Sequence, residues 1–180
     1  MKYTPTATQL LQIERAFTYH EPEGPSFHGR VSEVAQAKTS RPSWDVYFLE
    51  MAYVVAKRAT CDRKHVGCVI VDERHRIVST GYNGSPSGLP HCDDVGHELK
   101  EIDGRPSCIR TLHAESNALD DAGRRADGGT IYVTVTPCHD CAKRIIQHRI
   151  KRVVYGEHYQ SRNTDLVLEL FASAGVEVLQ

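Results

Sequence analysis

Beyond residue 42 the chain alternates between short β-forming runs and helical segments, and few folds accommodate that order. Ser43 is placed as an N-cap for "WDVYFLEMAYVVAKRA", with Asp45 in the favourable first turn. Val46, Leu49, Tyr53 and Ala56 recur there at helical spacing. Two β runs follow, "HVGCVIV" and "RIVSTGY", and the polar "DERHR" between them predicts a hairpin. From about His113 to Ala122 a helix is expected, then the strand "TIYVTV" and a helix beginning near Cys138. The strand "RVVYG", the helix "TDLVLELFASAG" and the strand "VEVL" complete the series. A hairpin followed by alternating elements predicts an α/β fold, a three-layer α/β/α sandwich with a mixed central sheet.

Two stretches stand outside that alternation. From "NGSPSGLP" to Pro106 a long loop is expected, and long loops inside compact domains usually carry function. Residues 1–42 hold Pro5, Pro22, Pro25 and Pro42, with Gly24, Gly29 and one short apolar segment, "LLQIERAF". They are expected to form an N-terminal arm with at most one helix, lying on the domain over 43–180 or on a neighbouring subunit.

Composition excludes several function classes. A length of 180 residues suits a single sizeable core. A formal net charge of −1 supplies no general field for a nucleic-acid polymer. Apolar runs such as "VGCVIV" and "IYVTV" are too short to span a bilayer, and the N-terminus lacks a secretory pattern. A cytoplasmic protein with reduced cysteines is therefore expected. Of its six cysteines, Cys68 lies in an apolar run and is simplest as a core residue. The other five sit among polar residues, where metal ligation or thiol chemistry becomes plausible.

The segment "TPCHDC", residues 136–141, puts Cys138 and Cys141 one helical turn apart at a helix start. The helix dipole there favours thiolates. A redox C-x-x-C is one reading. The other is two of the ligands of a zinc ion, with His113 of "TLHAESNAL" as the third and one position left to water, as in catalytic zinc sites. Glu115, two residues from His113, then stands where a proton shuttle is needed. H-x-E with P-C-x-x-C is the signature of zinc-dependent nucleobase deaminases.

The segments "CDRKHVGCVIVDERHRIVSTGYNGSPSGLPHCDD", "SCIRTLHAESNAL" and "IYVTVTPCHDCAKRIIQHRIKRVVYGEHY" resemble the deoxycytidylate (dCMP) deaminase family of the cytidine deaminase superfamily. The resemblance covers about residues 43–180. It implies hydrolytic deamination of dCMP to dUMP for thymidylate synthesis, a cytidine deaminase-like fold and a homo-oligomer, often a hexamer. It matches His113, Cys138 and Cys141 to the zinc ligands, Glu115 to the shuttle and Asn83 to a substrate-binding asparagine. On the residues alone Asn83 also suits a turn, since Asn-Gly favours positive φ. The implied chemistry is addition of an activated water at C4 of the cytosine ring. Glu115 then protonates N3 and the departing ammonia.

Cys61 matches a cysteine that some family members use for a second, non-catalytic zinc. With Cys92, Cys108 and His97, it would complete a closed Cys₃His shell, the composition of a structural site. His91 stands as an alternative to His97, and ordinary reduced thiols as the alternative to a metal. Arg124 matches an arginine near the effector pocket of nucleotide-regulated members. Asp121 stands where those members carry an aromatic residue, and with Asp120 it opposes an anionic triphosphate. Tyr155 and Tyr159 are expected as core and rim aromatics, with stacking on the base as the other use. Lys and Arg of "AKRIIQHRIKR" are expected on a solvated helix face, with the substrate phosphate as the other use for one or two. Two rivals remain: a deaminase of dCTP, another nucleotide or RNA, and a catalytically silent nucleotide-binding zinc module. The neutral charge opposes RNA and the presence of Glu115 opposes silence.

Overall fold

The computed structural model describes residues 41–102, 104–158 and 164–180, so nearly all of the expected N-terminal arm and Tyr159 lie outside the described residues. Helix α1 (Trp44–Ala56) begins where expected: the Ser43 hydroxyl accepts a hydrogen bond from the Val46 N–H at 3.3 Å. Strands β1 (Gly67–Val71) and β2 (Ile77–Tyr82) form the hairpin. Its turn is held by Asp72 Oδ1, which accepts from the N–H groups of Arg74 and Arg76.

The segment expected as a long loop is more ordered than that. It holds a single helical turn, α2 (Cys92–Val95), and a two-stranded antiparallel ribbon of β3 (Leu99–Ile102) and β4 (Arg105–Cys108). Every residue of β3 is exposed. With no buried residue in β3 there was no apolar alternation for periodicity to reveal there.

Helix α3 (Ala114–Ala122) follows, then a 3₁₀ turn (Gly123–Ala126), β5 (Thr130–Val135) and α4 (His139–Gln147). Strand β6 (Arg152–Glu157), α5 (Thr164–Ser173) and β7 (Glu177–Leu179) end the chain. The five-stranded sheet runs β2-β1-β5-β6-β7. β1 is antiparallel to both neighbours, while β5, β6 and β7 are mutually parallel. This is the mixed sheet expected.

Helices cover both faces, which is why the central strands are apolar at nearly every position. Val69, Val71, Tyr132 and Val154 point to one face and meet Phe48 and Ala52 of α1. The alternate residues Cys68, Ile70, Ile131 and Val153 point to the other. There they meet Leu119 of α3, Ile145 of α4 and Phe171 of α5. Cys68 is fully buried, as expected of a core residue. Two glycines set the helix–sheet spacing. A β-carbon at Gly67 would stand 2.0 Å from the Ala52 carbonyl oxygen, and one at Gly81 would stand 2.3 Å from that of Ala114. Glycine is required wherever backbones approach so closely. Among the described residues no helix is long and apolar enough to cross a membrane.

Candidate active site and a second Cys/His cluster

The starts of α3 and α4 meet beyond the sheet edge formed by the ends of β2 and β5. His113 is the N-cap of α3 and Cys138 the N-cap of α4, so both donors sit at positive helix ends. Two contacts set α3 against β2, and a third joins the segments that flank them. Asn117 Nδ2 donates to the Tyr82 carbonyl at 2.7 Å, Ser79 Oγ donates to that of Ala118 at 2.8 Å, and Leu112 N–H to that of Gly84 at 2.9 Å.

His113 Nδ1 lies 3.5 Å from Cys138 Sγ and 3.4 Å from Cys141 Sγ. Tetrahedral zinc with Zn–S of about 2.3 Å and Zn–N of about 2.0–2.1 Å separates N and S by about 3.5 Å. The three donors therefore fit a zinc ion. Without a metal the three donors share protons among themselves, and ligation would require thiolates and a neutral imidazole. A hydrogen bond from the Cys141 thiol pulls Cys138 down to about 4, against the opposing effect of burial, and His113 assists. The same bond, with burial, pushes Cys141 up. Cys138 in turn holds His113 up to about 9.

Glu115 is 3% exposed, in the first turn of α3. Burial raises its carboxyl above the usual value. The nearby His113 charge, its own backbone N–H and the Cys141 thiol act the other way. A carboxyl in such surroundings is suited to holding and passing a proton near neutral pH.

Glu115, His113 and Cys138 line one cavity of about 260 Å³. Asn83 lines it as well, and its side chain is 8% exposed at the residue level. Its Oδ1 accepts from the Val66 N–H at 2.7 Å and its Nδ2 donates to the Lys64 carbonyl at 2.9 Å. Asn83 bends the chain after β2 without positive φ, so it makes no use of the left-handed conformation that Asn-Gly favours. It braces the segment entering β1 against the cavity wall.

A second cluster joins Cys61, Cys92, His97 and Cys108, whose donor atoms all lie within 4.8 Å of one another. Cys61 Sγ is 3.6 Å from His97 Nδ1, and Cys92 Sγ is 3.6 Å from Cys108 Sγ. Tetrahedral zinc asks for about 3.5 and 3.8 Å respectively. The other nitrogen of His97 meets Asp62 Oδ1 at 2.9 Å, the arrangement that orients a metal-binding imidazole. His91 is engaged elsewhere, with its Nδ1 2.9 Å from Thr60 Oγ1. Of the two histidines, His97 is thus the one in the cluster. Burial and the hydrogen bonds that its thiol donates to Cys108 and Cys61 push Cys92 up to about 12. Burial opposes ionisation of Cys108, but the N–H of Arg110 and the contacts with Cys92 and His97 bring it down to about 7.

Residues 42–157 match the sequence profile of the cytidine and deoxycytidylate deaminase zinc-binding region. The chain belongs to the cytidine and deoxycytidylate deaminase family. A deoxycytidylate deaminase of Schizosaccharomyces pombe is 41% identical over 150 residues, 78% of this chain and 44% of that protein. ComE operon protein 2 of Bacillus subtilis is 44% identical, covering 78% of this chain and 72% of the relative. This chain therefore spans less than half of the yeast relative and most of the bacterial one. The crystal structure of dCMP deaminase from the cyanophage S-TIM5, in complex with dCMP and dUMP, superposes with a TM-score of 0.63 at 31% identity. That match covers 78% of this chain and 98% of the phage chain.

Within this deaminase fold several expected residues stand away from the cavity. Arg124 lies exposed in the 3₁₀ turn at the far end of α3 from His113. Tyr155 is buried beside β7, its hydroxyl 3.3 Å from His158 Nε2, and does not line the cavity. The basic residues of α4 and its surroundings pair with carboxylates: Lys143 with Asp140, Arg144 with Asp120, Arg149 with Asp127 and Arg152 with Asp45. None of them lines the cavity. Its cations are instead Arg63 and Lys64, which sequence reasoning passed over. The one available signal was their place in "CDRKHVG", directly after a cluster cysteine.

Proposed function

We propose that this chain catalyses hydrolytic deamination of dCMP to dUMP and ammonia. The observation that carries the reading is the buried Glu115 carboxyl beside three zinc-suited donors, with His113, Cys138 and Glu115 all opening on one cavity. Both the yeast and the phage relatives carry that activity in their names.

His113, Cys138 and Cys141 would hold the zinc ion. Zinc bound in this way supplies Lewis acidity, bringing the pKa of a water toward about 7. Glu115 takes the proton that the attacking water gives up as its oxygen bonds to C4. It delivers that proton to N3 of the ring and later carries one to the exocyclic amine. The C4–N bond then breaks, ammonia leaves and the C4 carbonyl of uracil remains. Burial of Glu115 keeps bulk water from competing for the proton. Asn83 lies against the nucleotide, and its bracing contacts keep it from turning away.

Cys61, Cys92, His97 and Cys108 fit a second, structural zinc. The reading takes residues 43–180 as the deaminase domain and residues 1–42 as an arm. It also takes the protein as a cytoplasmic homo-oligomer, a setting in which six cysteines stay reduced. A cavity of this size suits one small molecule rather than a polymer strand.

Ultraviolet absorbance tests the reading, because conversion of cytosine to uracil is directly visible. The zinc-loaded protein is incubated with dCMP, dCTP, deoxycytidine and CMP. Fastest conversion of dCMP is expected. Preference for dCTP would move the assignment to another nucleotide deaminase, and no conversion of any of the four would overturn it.

A further inference from the structure

The second Cys/His cluster and the cavity share a wall. Cys61 and Cys108 line the cavity, while Cys92 and His97 do not. Arg63 and Lys64, both exposed, mark its opening, and Arg63 donates to the carbonyl of Pro106, two residues before Cys108. Cys108 is half-buried, within reach of a small solute entering there, whereas Cys61 and Cys92 are only 3% and 6% exposed. Behind Cys108 stands Cys92, with 3.6 Å between their sulfurs although 16 positions separate them in the chain. An accessible thiol backed by a second thiol is the arrangement in which oxidation of the first ends as a disulfide with the second. The other cysteine sulfurs meet imidazoles: Cys61 has His97 Nδ1 at 3.6 Å, and Cys138 and Cys141 have His113 Nδ1 at 3.5 and 3.4 Å. To reach the disulfide bond length of about 2.05 Å, the Cys92 and Cys108 sulfurs must close by about 1.5 Å. Cys108 ends β4, whose partner β3 is exposed throughout, so that closure does not disturb the five-stranded sheet.

We propose that Cys108 and Cys92 are a site of oxidation by hydrogen peroxide, Cys108 as the attacking sulfur and Cys92 as the resolving one. The Cys108 sulfur attacks one peroxide oxygen. The O–O bond breaks, the other oxygen takes a proton and leaves as water, and Cys108 becomes a sulfenic acid. The Cys92 sulfur then attacks the Cys108 sulfur. The S–O bond breaks and its oxygen leaves, protonated, as a second water. In sum, two thiols and one hydrogen peroxide give one disulfide and two waters, the sulfurs losing the two electrons that the peroxide gains. Disulfide sulfurs are no longer thiolate ligands, so the cluster falls from four donors to Cys61 and His97, and a zinc ion held there is released. Only that release rests on the second-zinc reading; the sulfur chemistry is independent of it and of the deaminase reading. In a compartment that keeps thiols reduced, exchange with a thiol reopens the bond once peroxide is gone.

The test treats the full, zinc-loaded chain with a small excess of hydrogen peroxide, blocks the remaining thiols with iodoacetamide and maps the unreduced peptides by mass. The expected first product is a peptide pair joined through Cys92 and Cys108, about two mass units lighter than its separate thiol peptides together. A chromogenic chelator in parallel should read about one zinc released per chain, taken up again after reduction and return of zinc. Two variants assign the order of attack. Cys92→Ser should leave on Cys108 a sulfenic acid that dimedone traps, and Cys108→Ser should leave Cys92 unmodified at the same dose. A first disulfide between Cys138 and Cys141, or one through Cys61, overturns the proposal. So does a chain whose Cys92 and Cys108 are both still open to alkylation after the treatment. If the unaltered chain carries a single zinc, the second-zinc reading fails, and the peptide map still decides the thiol pair.

Discussion

Gly81 of β2 lies directly beneath Ala114 of α3, so close that a β-carbon at 81 would stand 2.3 Å from the Ala114 carbonyl oxygen and 2.5 Å from the Ala118 nitrogen. Both neighbours are backbone, and no rotamer change relieves the clash. Gly81→Ala must lift the helix start that carries His113 and Glu115. Overpacking of this kind costs about 1–3 kcal/mol. Urea unfolding of Gly81→Ala should show that loss, and zinc content and turnover should fall with it. Unaltered stability and activity would mean that α3 does not depend on this contact.

Asp45 links α1 to the sheet. It accepts from Arg152 at 2.5 and 2.8 Å and from the Tyr132 hydroxyl at 2.9 Å. Arg152 holds the Asp45 carboxyl below its ordinary value of 3.8, burial opposes this, and Tyr132 adds to the lowering. A depressed folded-state value contributes stability that is fully present above the unfolded value and is lost as pH falls through the folded one. Asp45→Asn should therefore cost roughly 1 kcal/mol at pH 7, a modest figure because the pair is partly exposed. The difference should shrink as pH falls below 3.8. An equal penalty at pH 3 and pH 7, by urea unfolding, would contradict this account of the pair.

The second cluster predicts metal stoichiometry. Zinc per chain, measured after loosely bound metal is removed, should be near two for the unaltered protein. Cys92→Ser should lower it to near one, since a closed shell that loses a thiolate binds weakly. Every residue of β3 is exposed, so in that variant the ribbon of β3 and β4 should become a site of rapid proteolytic cleavage. A value near one before any substitution would show that these four residues hold no zinc.

Much of the fold was legible because local signals and burial agreed. Ser43 capped the helix it was expected to cap, and the continuous apolar strands were those buried on both faces. The zinc-type triad was legible because Cys138 and Cys141 share one turn and His113 opens a helix with Glu115 in its first turn. The ribbon was not, since its exposed strand β3 carries no alternation and its end is gathered by Cys92, His97 and Cys108. Arg63 was invisible for another reason: its placement depends on Pro106, 43 residues away. Asn83 lines the cavity, and its side chain also serves the backbone of Lys64 and Val66, a contact no local pattern encodes.

The central claim is that Glu115 moves protons beside a zinc ion it does not ligate. Glu115→Gln keeps the shape of the side chain and leaves His113, Cys138 and Cys141 intact. The decisive measurement is turnover of dCMP by this variant alongside its zinc content. Zinc retained at the unaltered level with turnover reduced by at least about 10²-fold is the expected result, the scale of lost general acid–base chemistry. Near-normal turnover in the zinc-loaded variant would contradict the account.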